Sequence, residues 1–148
     1  MKSEPDVFSI DDLKTKRVAG WDGVRNYQVR NMMRDQMTVG DQAFFYHSSC
    51  EVPGIVGIMS ITKTALVDPT ALDPKHDQYD PKSDPANPRW YMVEVKYQQH
   101  LNPMISLETL KRAQKVLGDF WVLRPGNRLS IVPVSTAQWN KILTLKPE

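Results

Sequence analysis

Gln42-Ala43-Phe44-Phe45-Tyr46-His47 decides the fold. Three consecutive aromatics cannot all belong to one face of a strand, because successive side chains point to opposite sides. The run therefore predicts a strand buried on both faces. Ser48 to Gly54 follows as a loop closing on Pro53-Gly54, and Ile55-Val56-Gly57-Ile58-Met59-Ser60-Ile61 returns as the second arm of a hairpin. Gly57 lies inside that arm, where a glycine often admits the close approach of another backbone or a ligand.

Outward from the hairpin, Trp90 to Tyr97 is the clearest further strand, with Tyr91, Val93, Val95 and Tyr97 alternating on one face. Leu129 to Val134 is a second candidate, with Pro133 at an edge or an end, and Met1 to Glu4 is a fragment stopped by Pro5. Arg17 to Gly20 reads as a connector. Ser9 with Asp12, and Ser135 with Gln138, have the spacing of capping boxes, and Ser106 is a further N-cap. They open short helices to about Lys14, through Leu107 to Leu117, and through Trp139, Ile142 and Leu143, whose side chains are expected to face inward. Another helix is expected from Asn26 to Arg34 or Gln36, with Val29, Met32 and Met33 buried. The segment from Val67 to Pro88 has at most one helical turn, at Thr70 to Leu72. Its Asp68-Pro69, Asp73-Pro74, Asp80-Pro81 and Asp84-Pro85 pairs make it an ordered, turn-rich excursion. There is no alternation of strands with long helices, which excludes a doubly wound parallel sheet. The expectation is an α+β chain: one domain over 1–148, a curved, mixed and mainly antiparallel sheet of five or six strands, and peripheral short helices.

The chain has 148 residues and a net charge of +2, so any anion must be bound by a local cluster rather than by the global field. No apolar run approaches the ~20 residues of a membrane helix, and Met1-Lys2-Ser3-Glu4-Pro5 has no signal-peptide character. A single cysteine, Cys50, excludes an internal disulfide and suits a reducing cytoplasm, the expected location. His47, His76 and His100 lack ligand spacing, so no metal is expected, and no phosphate-loop or dinucleotide fingerprint calls for a cofactor. His47-Ser48-Ser49-Cys50 lacks the glycine-flanked elbow that presents a nucleophile, so no catalytic residue is assigned.

One stretch carries more chemistry than packing needs: Trp21-Asp22-Gly23-Val24-Arg25-Asn26-Tyr27-Gln28-Val29-Arg30-Asn31. If Asn26 caps the helix, Tyr27, Arg30, Asn31 and Arg34 share its outer face. Binding a single nucleotide needs an aromatic platform, groups that read a base edge, and cations for flanking phosphates. Trp21 and Tyr27 are candidates for the platform. Asn26, Ser48 and Ser49 are candidates for the edge, and Lys2, Arg25, Arg30 and Arg34 for the phosphate rim.

Lys2-Ser3-Glu4-Pro5, Trp21-Asp22-Gly23-Val24-Arg25-Asn26-Tyr27 and Phe44-Phe45-Tyr46-His47-Ser48 resemble characteristic runs of the EVE domain. So do Pro53-Gly54-Ile55-Val56-Gly57, Tyr79-Asp80-Pro81-Lys82-Ser83, Pro88-Arg89-Trp90 and Arg128-Leu129-Ser130. The resemblance spans nearly the whole chain. It implies a PUA-like pseudo-barrel, related to YTH and ASCH domains, and a non-catalytic module that binds DNA or RNA carrying a modified base, 5-methylcytosine and its oxidised forms above all. It also implies that Trp21 belongs to an aromatic cage whose mouth is lined by Lys2, Ser3 and the strand end at Ser48. The alternative, from the ASCH side, is a small hydrolase acting on modified nucleosides or RNA. Family members usually carry a few residues before the Lys-Ser-Glu-Pro run. Here Met1 directly precedes it, so Lys2 and Ser3 are expected near a mobile terminus.

Overall fold

The computed structural model describes residues 1–146. Five strands, β1 (Lys2–Ser3), β2 (Val18–Gly20), β3 (Gln42–His47), β4 (Gly54–Val67) and β5 (Tyr91–Ser106), form one mixed sheet in the order β1-β3-β4-β5-β2. The sheet is open, with β1 parallel to β3 and every other pairing antiparallel. The helices are α1 (Ile10–Lys16), α2 (Tyr27–Asn31), α3 (Leu107–Arg112), α4 (Gln114–Leu117) and α5 (Thr136–Ile142).

The hairpin is the centre of this sheet. Phe45 is paired with Gly57 and Phe44 with Ile58, and Phe44, Phe45 and Tyr46 are all buried. They are buried in two different cores. Phe45 joins Ile10, Leu13, Trp21, Val29, Met33, Met59, Val93 and Val95 on one face. Phe44 and Tyr46 join Ile55, Ile105, Leu110, Leu117 and Ile142 on the other. Each face is thus covered by its own helices, α1 and α2 on the first, α3 to α5 on the second. The register of β4 against β5 shifts at four places, and such bulges bend a strand and strengthen its twist. Gly57 admits α1: a Cβ there would collide with the Ile10 side chain and the Gln99 carbonyl.

Both capping boxes form, Ser9 with Asp12 and Ser135 with Gln138, and Ser106 caps α3. Val29, Met32 and Met33 are buried, but after Asn31 the backbone passes into a π-helical turn, Met32–Gln36. Five expectations are corrected. The connector before Trp21 is a strand, β2, held by its pairing with β5. β5 continues past Tyr97 through the polar run Gln98-Gln99-His100 to Ser106 because β4 accompanies it. Leu129 to Val134 is not a strand: Pro133 has no N–H to give a ladder, and one bond, from the Lys2 N–H to the Ser130 carbonyl at 2.7 Å, joins the segment to β1. Leu143 is exposed, while Trp139 stacks on Phe44 at 3.8 Å. The start of the chain is also tied down rather than mobile. Met1 is buried, its nitrogen donates to the Phe44 carbonyl at 2.9 Å, and its carbonyl accepts the Tyr46 N–H at 2.9 Å.

The excursion between β4 and β5 is ordered by one repeated device. Asp68, Asp73, Asp80 and Asp84 each precede a proline, and each carboxylate accepts the amide two residues on, from Thr70, Lys75, Lys82 and Ala86 at 2.9–3.0 Å. Proline has no N–H to compete, so every Asp-Pro pair makes the same Asx turn.

Candidate nucleic-acid interface

β1, the turn Glu4–Phe8, α1 and β2 surround a cleft of about 320 Å³, lined among others by Lys2, Ser3, Phe8, Lys16, Trp21 and Asp22. The turn is rigid: the Val7 and Phe8 amides donate to the Glu4 carbonyl at 2.9 Å, and the Ser3 hydroxyl donates to the Phe8 carbonyl at 2.6 Å. Trp21 is anchored by its amide to the Val93 carbonyl at 2.8 Å. Its ring meets Phe8 edge-on at 6.5 Å and Phe45 edge-on at 5.5 Å, and only 7% of the residue is exposed. Trp21 is a fixed wall of the cleft rather than a free plate. Its indole N–H has no protein acceptor, yet no buried side-chain polar atom of the described residues lacks a partner. That N–H therefore reaches solvent, and Trp21 is a lining residue of the cleft. The Asp22 carboxylate also has no donor among the described residues. Asp22 is an exposed residue by its accessible surface; partial desolvation against the cleft wall, then the nearby Asp68 charge, raise its pKa above the usual carboxylate value. Burial lowers that of Lys2.

Asn26 and Tyr27 do not line this cleft. Asn26 caps α2, its side-chain oxygen accepting the Val29 N–H at 3.1 Å. Tyr27 is 51% exposed and stacks on Trp90 at 4.8 Å and 22°, with the Arg30 guanidinium 4.6 Å from its ring centre. Arg30 also donates to the Arg89 carbonyl at 3.0 Å and to Asn31 at 2.8 Å. The Trp90 indole is held by Asp80 at 2.7 Å, and Arg34 is paired with Asp35 at 2.7 Å. The helix face read as one binding surface is thus a self-contained stack beside the cleft.

Arg25 is committed elsewhere. Its guanidinium donates to Asp68 at 3.0 Å, to the Thr70 hydroxyl at 3.1 Å and to the Gln78 carbonyl at 2.6 Å. Asp68, fully buried at 0% exposure, also accepts the Gly23 N–H at 2.8 Å and the Thr70 hydroxyl at 2.6 Å. Burial alone would raise the Asp68 carboxyl. The bonds from Thr70, Gly23 and Arg25 outweigh it and hold the pKa below the usual range. The clamp fixes the Gly23 turn, whose φ of 78° suits glycine, directly behind Trp21.

Ser48 and Ser49 lie beyond the cleft. The Ser48 amide donates to the Ser3 carbonyl at 3.0 Å, extending the β1–β3 pairing, and Ser49 is an exposed turn residue at φ 53°. His47 Nε2 accepts the Ile10 amide at 3.1 Å, and burial lowers its pKa. It braces the start of α1. Among the described residues no three His, Cys, Asp or Glu side chains are grouped to hold a metal, and no helix is long and apolar enough to cross a membrane. The residues that sequence reasoning did not assign are Phe8, Lys16, Asp22 and Trp90. Asp22 had a signal, its place beside Trp21; the others depend on contacts made only in the fold.

The open mixed sheet, its short helices and the aromatic-walled cleft define a PUA-like binding domain. The chain belongs to the EVE domain family, whose profile matches residues 1–145. It is 42% identical to human thymocyte nuclear protein 1, over 99% of this chain and 72% of that protein. A crystal structure from Pseudomonas putida superposes with a TM-score of 0.92 at 47% identity, covering 97% of this chain and 95% of the other. Human THYN1 in complex with 5-methylcytosine-containing DNA superposes with a TM-score of 0.89 at 41% identity, covering 97% and 93%.

Proposed function

We propose that this chain, acting as one unit over 1–148, is a non-catalytic reader of a modified base. A base leaves its strand, enters the cleft against Trp21, and is held there while its flanking phosphates meet the rim. DNA carrying 5-methylcytosine is the first candidate ligand, since a human relative has been crystallised with such DNA. RNA carrying a modified base is the second.

The observation that carries the reading is the cleft itself. It combines an immobile aromatic wall, an indole N–H and a carboxylate that lack protein partners, and two lysines at one mouth. Groups left unsatisfied in a concave site are available to a ligand. In this reading Trp21 and Phe8 enclose the base, Ser3 and Lys2 stand at its entrance, and Lys2 and Lys16 meet phosphate. The Tyr27–Trp90–Arg30 stack, with Asn26, Ser48 and Ser49, supports the frame around the cleft. The work is assigned to the cytoplasm on the single cysteine; the nuclear location in the relatives' name is theirs.

The test is fluorescence anisotropy with oligonucleotides that differ by one central 5-methylcytosine, as single-stranded DNA, duplex DNA and RNA. One methyl group in an apolar recess is worth about 10- to 200-fold, and flipping costs least in single strands. The expected result is a preference for the methylated oligonucleotide of at least about 10-fold. Equal affinity for methylated and unmodified strands in all three contexts would sink the reading.

A further inference from the structure

We infer that Asp22 is the residue by which the cleft selects a cytosine-type base over a thymine-type one. The inference rests on the base-reading proposal and adds a base identity to it. Thymine and 5-methylcytosine share the same C5 methyl, so an apolar recess cannot separate them. They differ at position 4, where cytosine carries an amino group and thymine a carbonyl, and at N3, an acceptor in cytosine and a donor in thymine. A site that reads cytosine needs an acceptor facing the amino group and a donor facing N3 or O2.

The cleft has both in adjacent residues. Asp22 is the carboxylate that lines it, and no side chain or amide of the described residues donates to that carboxylate. Trp21 brings the unpartnered indole N–H. The other acidic group behind the cleft, Asp68, has its oxygens filled by Gly23, Arg25 and Thr70 and has none left for a ligand. The hydroxyl of Ser3 already donates to the Phe8 carbonyl, and the amines of Lys2 and Lys16 are donors only. Asp22 is therefore the side-chain anion of the cleft with open acceptor capacity. Lys16, Arg25 and His76 act on it only through space, lowering its pKa less than burial and Asp68 raise it, and none of them occupies its oxygens.

Asp22 is an exposed residue, so its carboxylate is open to a ligand from solvent, while partial desolvation and the Asp68 charge raise its pKa. Against thymine the same carboxylate faces the O4 lone pairs, which is repulsive and leaves both groups without a donor.

The test is a set of single-stranded oligonucleotides with one central 5-methylcytosine, cytosine, thymine or N6-methyladenine, bound to the wild-type chain, Asp22→Asn and Asp22→Ala. Wild type should prefer 5-methylcytosine to thymine by about 5- to 150-fold, the range of one good base-edge contact. Asp22→Ala should abolish that preference while keeping the advantage of a methylated over an unmethylated cytosine. Asp22→Asn, whose amide can turn either edge to the base, should bring the two affinities within about threefold. Thermal melting of each variant confirms that it is folded. If wild type separates 5-methylcytosine from thymine and Asp22→Ala separates them equally well, Asp22 is not the reader, although the base-reading function stands. Tightest binding of N6-methyladenine would overturn the cytosine assignment. If wild type binds all four alike, the base-reading proposal fails and this inference with it.

Discussion

Arg25→Ala separates two roles that a cation in this position could have. Sequence reasoning set Arg25 on a phosphate rim, but its guanidinium lies between the buried Asp68 carboxylate and the Gln78 carbonyl. Removing it leaves Asp68 with the Gly23 and Thr70 donors, none of them charged. Breaking a buried ion pair from one side costs about 3–5 kcal/mol. Arg25 is 23% exposed, so water fills part of its place and the expected loss falls to about 2–3 kcal/mol on that scale. For a chain of this size, 1 kcal/mol corresponds to about 2–4 °C, so the melting temperature should drop by about 4–12 °C. Urea unfolding should show a lower midpoint with an unchanged slope. In DNA binding, a lost phosphate contact reduces the slope of log K against log salt by about 0.9, and Arg25→Ala should leave that slope unaltered. A variant with wild-type stability and a salt slope lower by about one would refute the clamp and return Arg25 to the rim.

Three further outcomes follow from the same geometry. Trp21→Ala should destabilise the chain by about 3–5 kcal/mol, as truncation of a buried tryptophan does, so loss of binding in that variant would be ambiguous. Trp21→Phe, which loses the N–H but keeps an aromatic wall, should fold and bind methylated oligonucleotide more weakly, which calorimetry can resolve. Gly57→Ala should cost upwards of about 1–3 kcal/mol by overpacking, seen as a lowered urea midpoint, because its methyl would meet Ile10 and the Gln99 backbone. Asp22→Asn should raise stability at neutral pH. The Asp22 pKa is raised from 3.8 by burial and Asp68, more than His76, Arg25 and Lys16 lower it. The wild-type penalty is therefore absent below that ordinary value and grows as pH rises through the folded-state pKa. Melts from pH 3 to 8 should show the two proteins converging in acid; a constant gap would contradict the assignment.

The fold was legible wherever local chemistry determines local structure. The capping boxes at Ser9 and Ser135, the doubly buried aromatic strand, and the close approach at Gly57 all form as their residues imply. What the sequence withheld was set by partners far away in the chain. β2 is three residues long and exists because β5 offers it an edge, while Leu129 to Val134 has strand-like residues but no strand to pair with along its length. The candidate site divides in the same way. Trp21, Lys2 and Ser3 line one cleft. Tyr27 and Arg30 turn away because Trp90, sixty-three positions after Tyr27, supplies a stacking partner. Arg25 is drawn to an aspartate forty-three positions on. No spacing rule on a single helix contains either contact.

The four Asp-Pro turns bear on how quickly a ligand could be accepted. A long excursion without regular structure would ordinarily explore many shapes and surrender that freedom on binding. Here proline narrows the backbone choices of the chain before it folds, and each aspartate closes its turn with a bond over two residues. Through Asp68 and Asp80 the same segment reaches Gly23, Arg25 and Trp90. The wall behind the cleft is thus set before any ligand arrives, so encounter requires docking rather than rearrangement of that side.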